Sequence, residues 1–170
     1  MRHTHVYTGD GKGKTTAAVG LALRAAAAGW RVFFGQFIKP GTSAEITYFA
    51  EHCPAVTVAA FGREGFIFPP PKSEDVTAAE DGLERLRQAI QSGDYDLVIA
   101  DEANSAVHAG LFGVEALLRL IDMADGRVEL VFTGRNARPE LIERADLVTD
   151  MRCVKHYFHD GTAARPGIEE

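Results

Sequence analysis

The nine-residue segment TGDGKGKTT, residues 8–16, constrains the fold of this 170-residue chain more than any other feature. It follows a short run of β-forming residues and precedes an alanine-rich stretch, so the sequence predicts a strand, a tight loop and a helix in that order. The alternating glycines Gly9, Gly11 and Gly13 allow backbone N–H groups to turn inward as an anion-binding nest. The positive end of the following helix favours the same anion. The segment therefore predicts a phosphate-binding loop.

The side chains of this loop supply the charge and the hydroxyl that a polyphosphate requires. Lys12 and Lys14 place ammonium groups beside the nest, and Thr15 offers a hydroxyl suited to Mg²⁺. The usual pattern, GxxxxGK[ST], has glycine at the position of Thr8, which is a departure. The alternative is a glycine-rich turn that only joins a strand to a helix. The predicted nucleotide contacts in the loop are Gly9, Asp10, Gly11, Lys12, Gly13, Lys14, Thr15 and Thr16.

Short apolar runs alternate with helical stretches along the chain. The predicted strands cover residues 3–8, 31–38, 55–61, 95–101, 128–134 and 146–152, and the predicted helices cover 14–28, 43–52, 73–93, 114–124 and 138–145. This alternation predicts an α/β fold: a single-domain P-loop NTPase-like (RecA-like), mostly parallel sheet with helices on both faces. The length suits one nucleotide-binding domain over residues 1–170, with a polar C-terminal tail from about residue 153.

Polar residues follow several predicted strands, and in a parallel sheet these positions meet at one edge. The strand YDLVIAD ends in Asp101 and is followed by Glu102 and Asn104. Carboxylate oxygens suit Mg²⁺ held between protein and phosphate, so the predicted metal ligands are Thr15, Asp101 and Glu102. The alternative is that the two acids cap the helix that follows. Asn104 is expected to hold both acids in place.

Charge and composition narrow the function classes. The net charge of −6 argues against a general nucleic-acid binder, and no apolar run approaches the roughly 20 residues that span a bilayer. Cys53 and Cys153 are far apart in sequence and are interpreted as buried structural thiols in a reducing cytoplasm. The N-terminus shows no signal-peptide pattern. The histidines lack the spacing of a zinc site.

Several segments together resemble a known family. They are YTGDGKGKTTAA, QFIKPG, GREGFIF, DYDLVIADEAN, LVFTGRNARPELIERADLVTDM and the terminal VKH…ARPGIEE. The combination is similar to the ATP-dependent corrinoid (cob(I)alamin) adenosyltransferases of the P-loop type, which serve cobalamin biosynthesis and salvage. The resemblance implies that Co(I) of a corrinoid attacks C5′ of ATP, takes up the 5′-deoxyadenosyl group and releases intact triphosphate. ATP would be the co-substrate, the corrinoid the substrate and Mg²⁺ the cofactor.

The resemblance also implies roles for residues on the strand-end loops. Lys12, Lys14 and Arg135 would act on the triphosphate as catalytic residues. Arg135, together with Lys39 and Glu45, would bind ATP. Alternatively, Arg135 pairs with Glu102 or Asp146, and Lys39 lies in a solvated loop.

A further implied role concerns the segment GFIF. Phe66 and Phe68 occupy the family's two aromatic positions and would form a dry wedge at the corrin face that displaces the lower axial ligand of cobalt. Phe68 stands where tryptophan is usual. The alternative is that both rings are ordinary core residues beneath a loop.

The remaining expectations concern partners and the chain termini. The resemblance implies a homodimer and an electron-donating reductase. The net charge, the lack of a long apolar run and the cysteine usage predict a cytoplasmic protein with no nucleic-acid or membrane partner. Lys155 and His156 are expected in a tail near the active site, with Tyr157 where proline is usual. A lid is expected from the tail or a second subunit. The rival functions are a P-loop ATPase or kinase that transfers the γ-phosphoryl group, and a non-catalytic module that binds ATP and a corrinoid.

Overall fold

Strands and helices alternate in the computed structural model, which describes residues 1–63, 65, 67 and 69–169. The strands are β1 Thr4–Thr8, β2 Val32–Gln36, β3 Val56–Ala60, β4 Leu97–Asp101, β5 Glu129–Thr133 and β6 Leu147–Asp150. The helices are α1 Lys14–Ala27, α2 Ala44–His52, α3 Ser73–Ser92, α4 Ala103–His108, α5 Val114–Ala124 and α6 Pro139–Arg144, with a 3₁₀ turn at Tyr157–Asp160. Each strand and helix predicted from the sequence is present, and α4 and the 3₁₀ turn are additional.

The described strands form one six-stranded sheet in the order β3-β2-β4-β5-β1-β6, with every pairing parallel. The predicted α/β fold is therefore confirmed. The central strands β2 and β4 are buried at all five positions, as a sheet covered on both faces requires. Parallel direction brings the carboxyl ends of β1, β2, β4 and β5 to one edge, and the loops that carry the site leave from there.

Two apolar layers fill the space between the sheet and its helices. Ala18 and Ala22 of α1 pack with Phe34 and Ile99 on one face of the sheet. The opposite face packs a larger cluster that includes Leu86 of α3 and Leu117 of α5. None of the helices in the described part of the chain is long and apolar enough to cross a membrane.

Neither cysteine is fully buried. Cys53 is only partly buried and Cys153 is exposed, so the expectation of two buried thiols is wrong. The physical reason is position: Cys53 follows the last turn of α2 at the surface, and Cys153 follows the edge strand β6, whose four residues are all exposed.

Phe61 is packed unusually closely between β2 and α3, because two glycines leave room for its ring. A Cβ on Gly82 would lie 2.5 Å from Phe61 Cγ, and a Cβ on Gly35 would lie 2.7 Å from Phe61 Cε2. The Phe37 ring also packs against Phe61, with 5.1 Å between ring centroids. Gly82 therefore sits mid-helix for packing and in spite of its poor helix propensity.

We expect Gly82→Ala to destabilise the protein by about 1–3 kcal/mol, because overpacking against Phe61 outweighs the roughly 1 kcal/mol gain in helix propensity. Gly20→Ala is the matched control, since Gly20 lies in α1 and, apart from its chain neighbours and the nearby backbone of the helix itself, no atom comes within 4 Å of the position that its Cβ would take. That control should gain about 0.5–1 kcal/mol. Urea unfolding of both variants measures the difference, and equal stabilisation by both would contradict the packing argument.

Candidate active site

The loop after β1 adopts the conformation that its glycines permit, and the end of β6 braces it. Gly9 and Gly13 have φ of 98° and 126°, a region that L side chains rarely adopt. Gly11 N donates a 2.6 Å hydrogen bond to Met151 O, and a Cβ on Gly11 would lie 2.6 Å from that same oxygen. The loop is therefore shaped by its own backbone and by the chain segment that leaves the sheet beside it.

Lys14 is folded back into this loop. Its side chain is almost fully buried, and Nζ donates a 2.6 Å hydrogen bond to Gly11 O. Burial is the main cause that lowers the pKa of Lys14, and the nearby Arg135 guanidinium lowers it further. A cation in this position gains from an anionic ligand, because the ligand would offset both the lost hydration and the repulsion from Arg135.

A polar row crosses the ends of three neighbouring strands and is centred on the buried carboxylate of Asp101. Thr133 Oγ1 donates to Oδ1 at 2.6 Å, Gln36 Nε2 donates to Oδ2 at 2.9 Å, and Thr15 Oγ1 donates to Oδ1 at 3.0 Å. Burial raises the pKa of Asp101, while the donated hydrogen bonds act in the opposite direction. Asp101 thus ties the first turn of α1 to the sheet.

Glu102 follows Asp101 in the chain and lines a cleft that lies in front of the phosphate loop. Its backbone is left-handed, with φ of 60°, and its N–H donates to Thr133 Oγ1 at 2.9 Å. Its side chain makes no capping hydrogen bond to α4 among the described contacts, in contrast to the capping alternative. Glu102 and Thr15 line the cleft, whereas Asp101 lies beneath Thr15.

Hard oxygen donors of this kind fit Mg²⁺. The described residues contain no group of three or more His, Cys, Asp or Glu side chains that could hold a metal ion by themselves. A bound Mg²⁺ would therefore draw on Thr15, Glu102 and ligands that the protein does not supply, such as phosphate oxygens and water. That donor set is the usual one for Mg²⁺ at a nucleotide.

The cleft in front of the loop has a volume of about 940 Å³. It brings together most of the predicted ATP contacts, which are Gly11, Lys12, Gly13, Lys14, Thr15, Thr16, Lys39, Glu45 and Arg135. Gly9 and Asp10 instead face a separate cavity of about 470 Å³ on the other side of the loop. Nearly all the ATP contacts predicted from the sequence therefore line one cleft, as the convergence of strand ends at one edge of the sheet leads us to expect.

The first turn of α4 anchors the turn that carries Arg135. Arg135 N donates to Ser105 Oγ at 3.1 Å, and Asn104 Nδ2 donates to Gly134 O at 3.2 Å. The expected contact of Asn104 with the two acids is not among the hydrogen bonds of the described chain. The guanidinium of Arg135 forms no ion pair with Glu102 or Asp146 within that same part of the chain, and Arg135 lines the cleft.

The C-terminal tail reaches the same cleft. Lys12 Nζ donates a 2.6 Å hydrogen bond to Ile168 O, and His156 together with residues 167–169 lines the cleft. Contacts within the tail connect its two ends. Arg165 forms an ion pair with Glu169 at 3.2 Å, and the Tyr157 hydroxyl also donates a hydrogen bond to Glu169. The hydrogen bond from Arg165 is the main cause that lowers the pKa of Glu169 to about 2. Lys155 is exposed and does not line the cleft.

Several site residues escaped the sequence analysis. Gln36 lies inside the strand predicted over residues 31–38, so the strand-end rule did not select it, although β2 ends at this residue. Thr133, the last residue of β5, lies at a predicted strand end but was assigned no role. Ser105 and Ile168 carry no comparable signal. Phe66 and Phe68 lie outside the described residues, but their neighbours Gly65 and Ile67 line the cleft.

A glycine loop between the first strand and first helix of a parallel sheet, with a carboxylate at the end of a nearby strand, defines a nucleotide-binding protein of the P-loop NTPase-like class. The profile of the family described as "ATP:corrinoid adenosyltransferase BtuR/CobO/CobP" matches residues 2–169. This chain belongs to that family, whose members are transferases that move the adenosyl group of ATP to a corrinoid.

Individual relatives agree with the family match. The corrinoid adenosyltransferase of Pseudomonas aeruginosa is 36% identical over 166 residues, which cover 96% of this chain and 81% of that protein. The corrinoid adenosyltransferase of a Sinorhizobium species is 34% identical over 171 residues, with 96% and 78% covered. The Escherichia coli K12 corrinoid adenosyltransferase is 33% identical over 167 residues, with 96% and 83% covered.

We expect Lys14→Ala to weaken ATP binding by at least about 100-fold, because the variant loses a charge-assisted hydrogen bond and the local positive charge. Isothermal titration calorimetry with ATP and Mg²⁺ measures the change. Arg127→Ala is a matched control, since Arg127 bonds to Met123 O at the opposite edge of the sheet and should leave the affinity unchanged. Wild-type affinity in Lys14→Ala, with the circular dichroism spectrum intact, would contradict the assignment.

Proposed function

We propose that this chain transfers the 5′-deoxyadenosyl group of ATP to Co(I) of a corrinoid and releases triphosphate. The observation that carries the proposal is the convergence of the phosphate loop, Glu102 and Arg135 on one open cleft, with Asp101 hydrogen-bonded to Thr15 beneath it. In the reaction the cobalt electron pair forms the new Co–C5′ bond, the C5′–O bond breaks, and the bonding electrons leave with the triphosphate. Cobalt ends two electrons more oxidised, so the charges balance without a further reactant.

Cations at the loop would stabilise the leaving group. Triphosphate takes on negative charge as the C5′–O bond breaks, and Lys12, Lys14, Arg135 and the backbone N–H groups surround the position we assign to it. Lys14 is the strongest candidate, because a buried cation acts through a lower effective dielectric than an exposed one. Since the attacking atom belongs to the corrinoid, the protein's main contribution is to hold the two substrates in line.

Thr15 and Glu102 would hold Mg²⁺, with Asp101 orienting the Thr15 hydroxyl from below. Mg²⁺, when bound, would neutralise part of the phosphate charge. Lys39 and Glu45, which follow β2 in the chain, line another part of the cleft and would contact the remainder of ATP.

The corrinoid would approach from the side of the segment 65–67. Gly65 and Ile67 line the cleft, whereas Phe66 and Phe68 lie outside the described residues. Their proposed role, taken from the family resemblance, is an apolar wedge that displaces the lower ligand of cobalt. An electron-donating reductase and a homodimer likewise stay predictions from the resemblance, while the tail as lid and a cytoplasmic location stay predictions from the sequence.

The rival phosphoryl-transfer reaction would need a base near the γ-phosphate, and of the two acids at the end of β4 Glu102 is assigned to Mg²⁺ in this proposal. Asp101 is buried and already accepts hydrogen bonds from Thr15, Thr133 and Gln36, so it is not available to activate water or a hydroxyl. A non-catalytic module would bind the same ligands, and only the products distinguish it from a transferase.

Product analysis tests the proposed function directly. Incubation with ATP, Mg²⁺ and chemically reduced cobalamin should give alkylated cobalt, followed by its absorbance, and triphosphate in equal amounts. Lys14→Ala should give neither product. ADP with inorganic phosphate in place of triphosphate would favour the ATPase, and the absence of any product would favour the binding module.

The wedge is tested by starting from cob(II)alamin. We expect Phe66→Ala to leave ATP affinity unchanged but to slow adenosylation by about 10-fold or more when cobalt must first be reduced, because water regains access to its lower face. Tyr48→Ala provides an exposed aromatic control on α2 that does not line the cleft. Equal slowing with pre-reduced Co(I) would argue against a wedge.

A further inference from the structure

Gln36 is a polar side chain where the fold otherwise places apolar ones. It is the last residue of β2 and is completely buried. Val32 and Phe34, which precede it on the same face of the strand, belong to the apolar layer under α1. Burying an amide is unfavourable unless its hydrogen bonds are satisfied, so the contacts of Gln36 indicate why an amide occupies this position.

Both ends of the Gln36 amide are engaged. Nε2 donates to Asp101 Oδ2 at 2.9 Å, and Oε1 accepts a longer hydrogen bond of 3.4 Å from Ser43 Oγ. Ser43 is the N-cap residue that immediately precedes α2, and Glu45 in the first turn of α2 lines the cleft. Gln36 therefore connects the carboxylate below the phosphate loop to the segment that forms another wall of the cleft.

Backbone pairing keeps the amide in this place. β2 and β4 pair in a register that sets Gln36 opposite Asp101, and Phe37 N extends the ladder with a 2.9 Å hydrogen bond to Asp101 O. The two side chains lie on the same face and cannot separate without a shift of register. Their contact is thus determined by the sheet and does not depend on a mobile loop.

The contact controls how the Asp101 carboxylate is rotated. Thr133 directs its hydroxyl to Oδ1, and Gln36 directs its N–H to Oδ2, so the plane of the carboxylate is held from both neighbouring strands. The Thr15 hydroxyl donates a hydrogen bond to this carboxylate. The lone pairs of Thr15 Oγ1 therefore stay available to a ligand in the cleft. Thr15 Oγ1 also lies 3.3 Å from Oδ2, so without the Gln36 bond only the two threonine hydroxyls would restrain the carboxylate and the preferred direction of the Thr15 O–H would weaken.

We propose that Gln36 is a positioning residue for magnesium-bound ATP: by fixing the Asp101 carboxylate it orients the Thr15 hydroxyl toward the metal. The inference rests on the proposed function only in requiring a nucleotide with Mg²⁺ at the loop. It predicts that Gln36 contributes to the part of ATP affinity that depends on Mg²⁺ and not to the part that the loop and its lysines provide. A residue that merely fills the core would affect neither part selectively.

The test uses Gln36→Met, which keeps the length of the side chain and removes its N–H donor. ATP affinity is measured by calorimetry with Mg²⁺ and with EDTA, in the absence of any corrinoid. We expect the EDTA affinity to stay within about 2-fold of wild type and the enhancement by Mg²⁺ to fall by about 10-fold, the effect of one charge-assisted hydrogen bond. Ser43→Ala, which is partly exposed and leaves the core intact, should lower the enhancement by about 2-fold.

Phe34→Leu is the matched structural control, because it perturbs the same buried strand two residues away without touching Asp101. It should lower the melting temperature and leave the Mg²⁺ enhancement unchanged. The proposal is overturned if wild type shows no enhancement, if Gln36→Met retains it, or if Phe34→Leu loses as much. Because no corrinoid is present, these outcomes are independent of whether adenosylation occurs, which the product analysis decides separately.

Discussion

The register of the parallel ladder is the constraint on which the site depends. It places the last residues of β2, β4 and β5 side by side, so that Gln36, Asp101 and Thr133 form one polar row at the end of an apolar sheet. Thr15 joins this row from the first turn of α1 and ties the phosphate loop to the sheet. A slip of one residue would turn Asp101 to the opposite face and leave Thr15 without its acceptor.

The phosphate loop gains its rigidity from outside itself. Met151, just past β6, accepts a hydrogen bond from Gly11 N and leaves no space for a side chain on Gly11. An exposed edge strand therefore has a structural task at the site, since its carboxyl end supports the anion-binding backbone. Lys14 is buried in this loop. Burial of its charge destabilises the protein without a ligand, and the same burial strengthens the attraction of Lys14 for a bound polyphosphate.

Long hydrophobic patterns in the sequence predicted the fold well. Features that involve few residues, or that depend on partners distant in sequence, were not predicted. The alternation of strands and helices, the glycine loop and the Asp101 strand end were predictable because each follows from backbone geometry or strand direction. Helix α4 was missed because six residues are too few for a helical period to show. Gln36 was missed because the strand was predicted to continue to residue 38, which put this glutamine in its interior, and because its partner is 65 positions away. Asn104 was assigned to the acids beside it in sequence, yet its amide reaches Gly134.

By itself the sequence determined the strand–loop–helix unit, the class of ligand and the set of strand-end residues, because these depend on local backbone chemistry and on one rule of parallel sheets. Tertiary structure decided which of those residues share a space. In the folded chain Gly9 and Asp10 line a different cavity from the other loop residues. The C-terminal tail contacts Lys12, and hydrogen bonds connect Ser43 through Gln36 to Asp101. These outcomes depend on strand order and register, which arise from packing the whole sheet against its helices and are not encoded in any one segment.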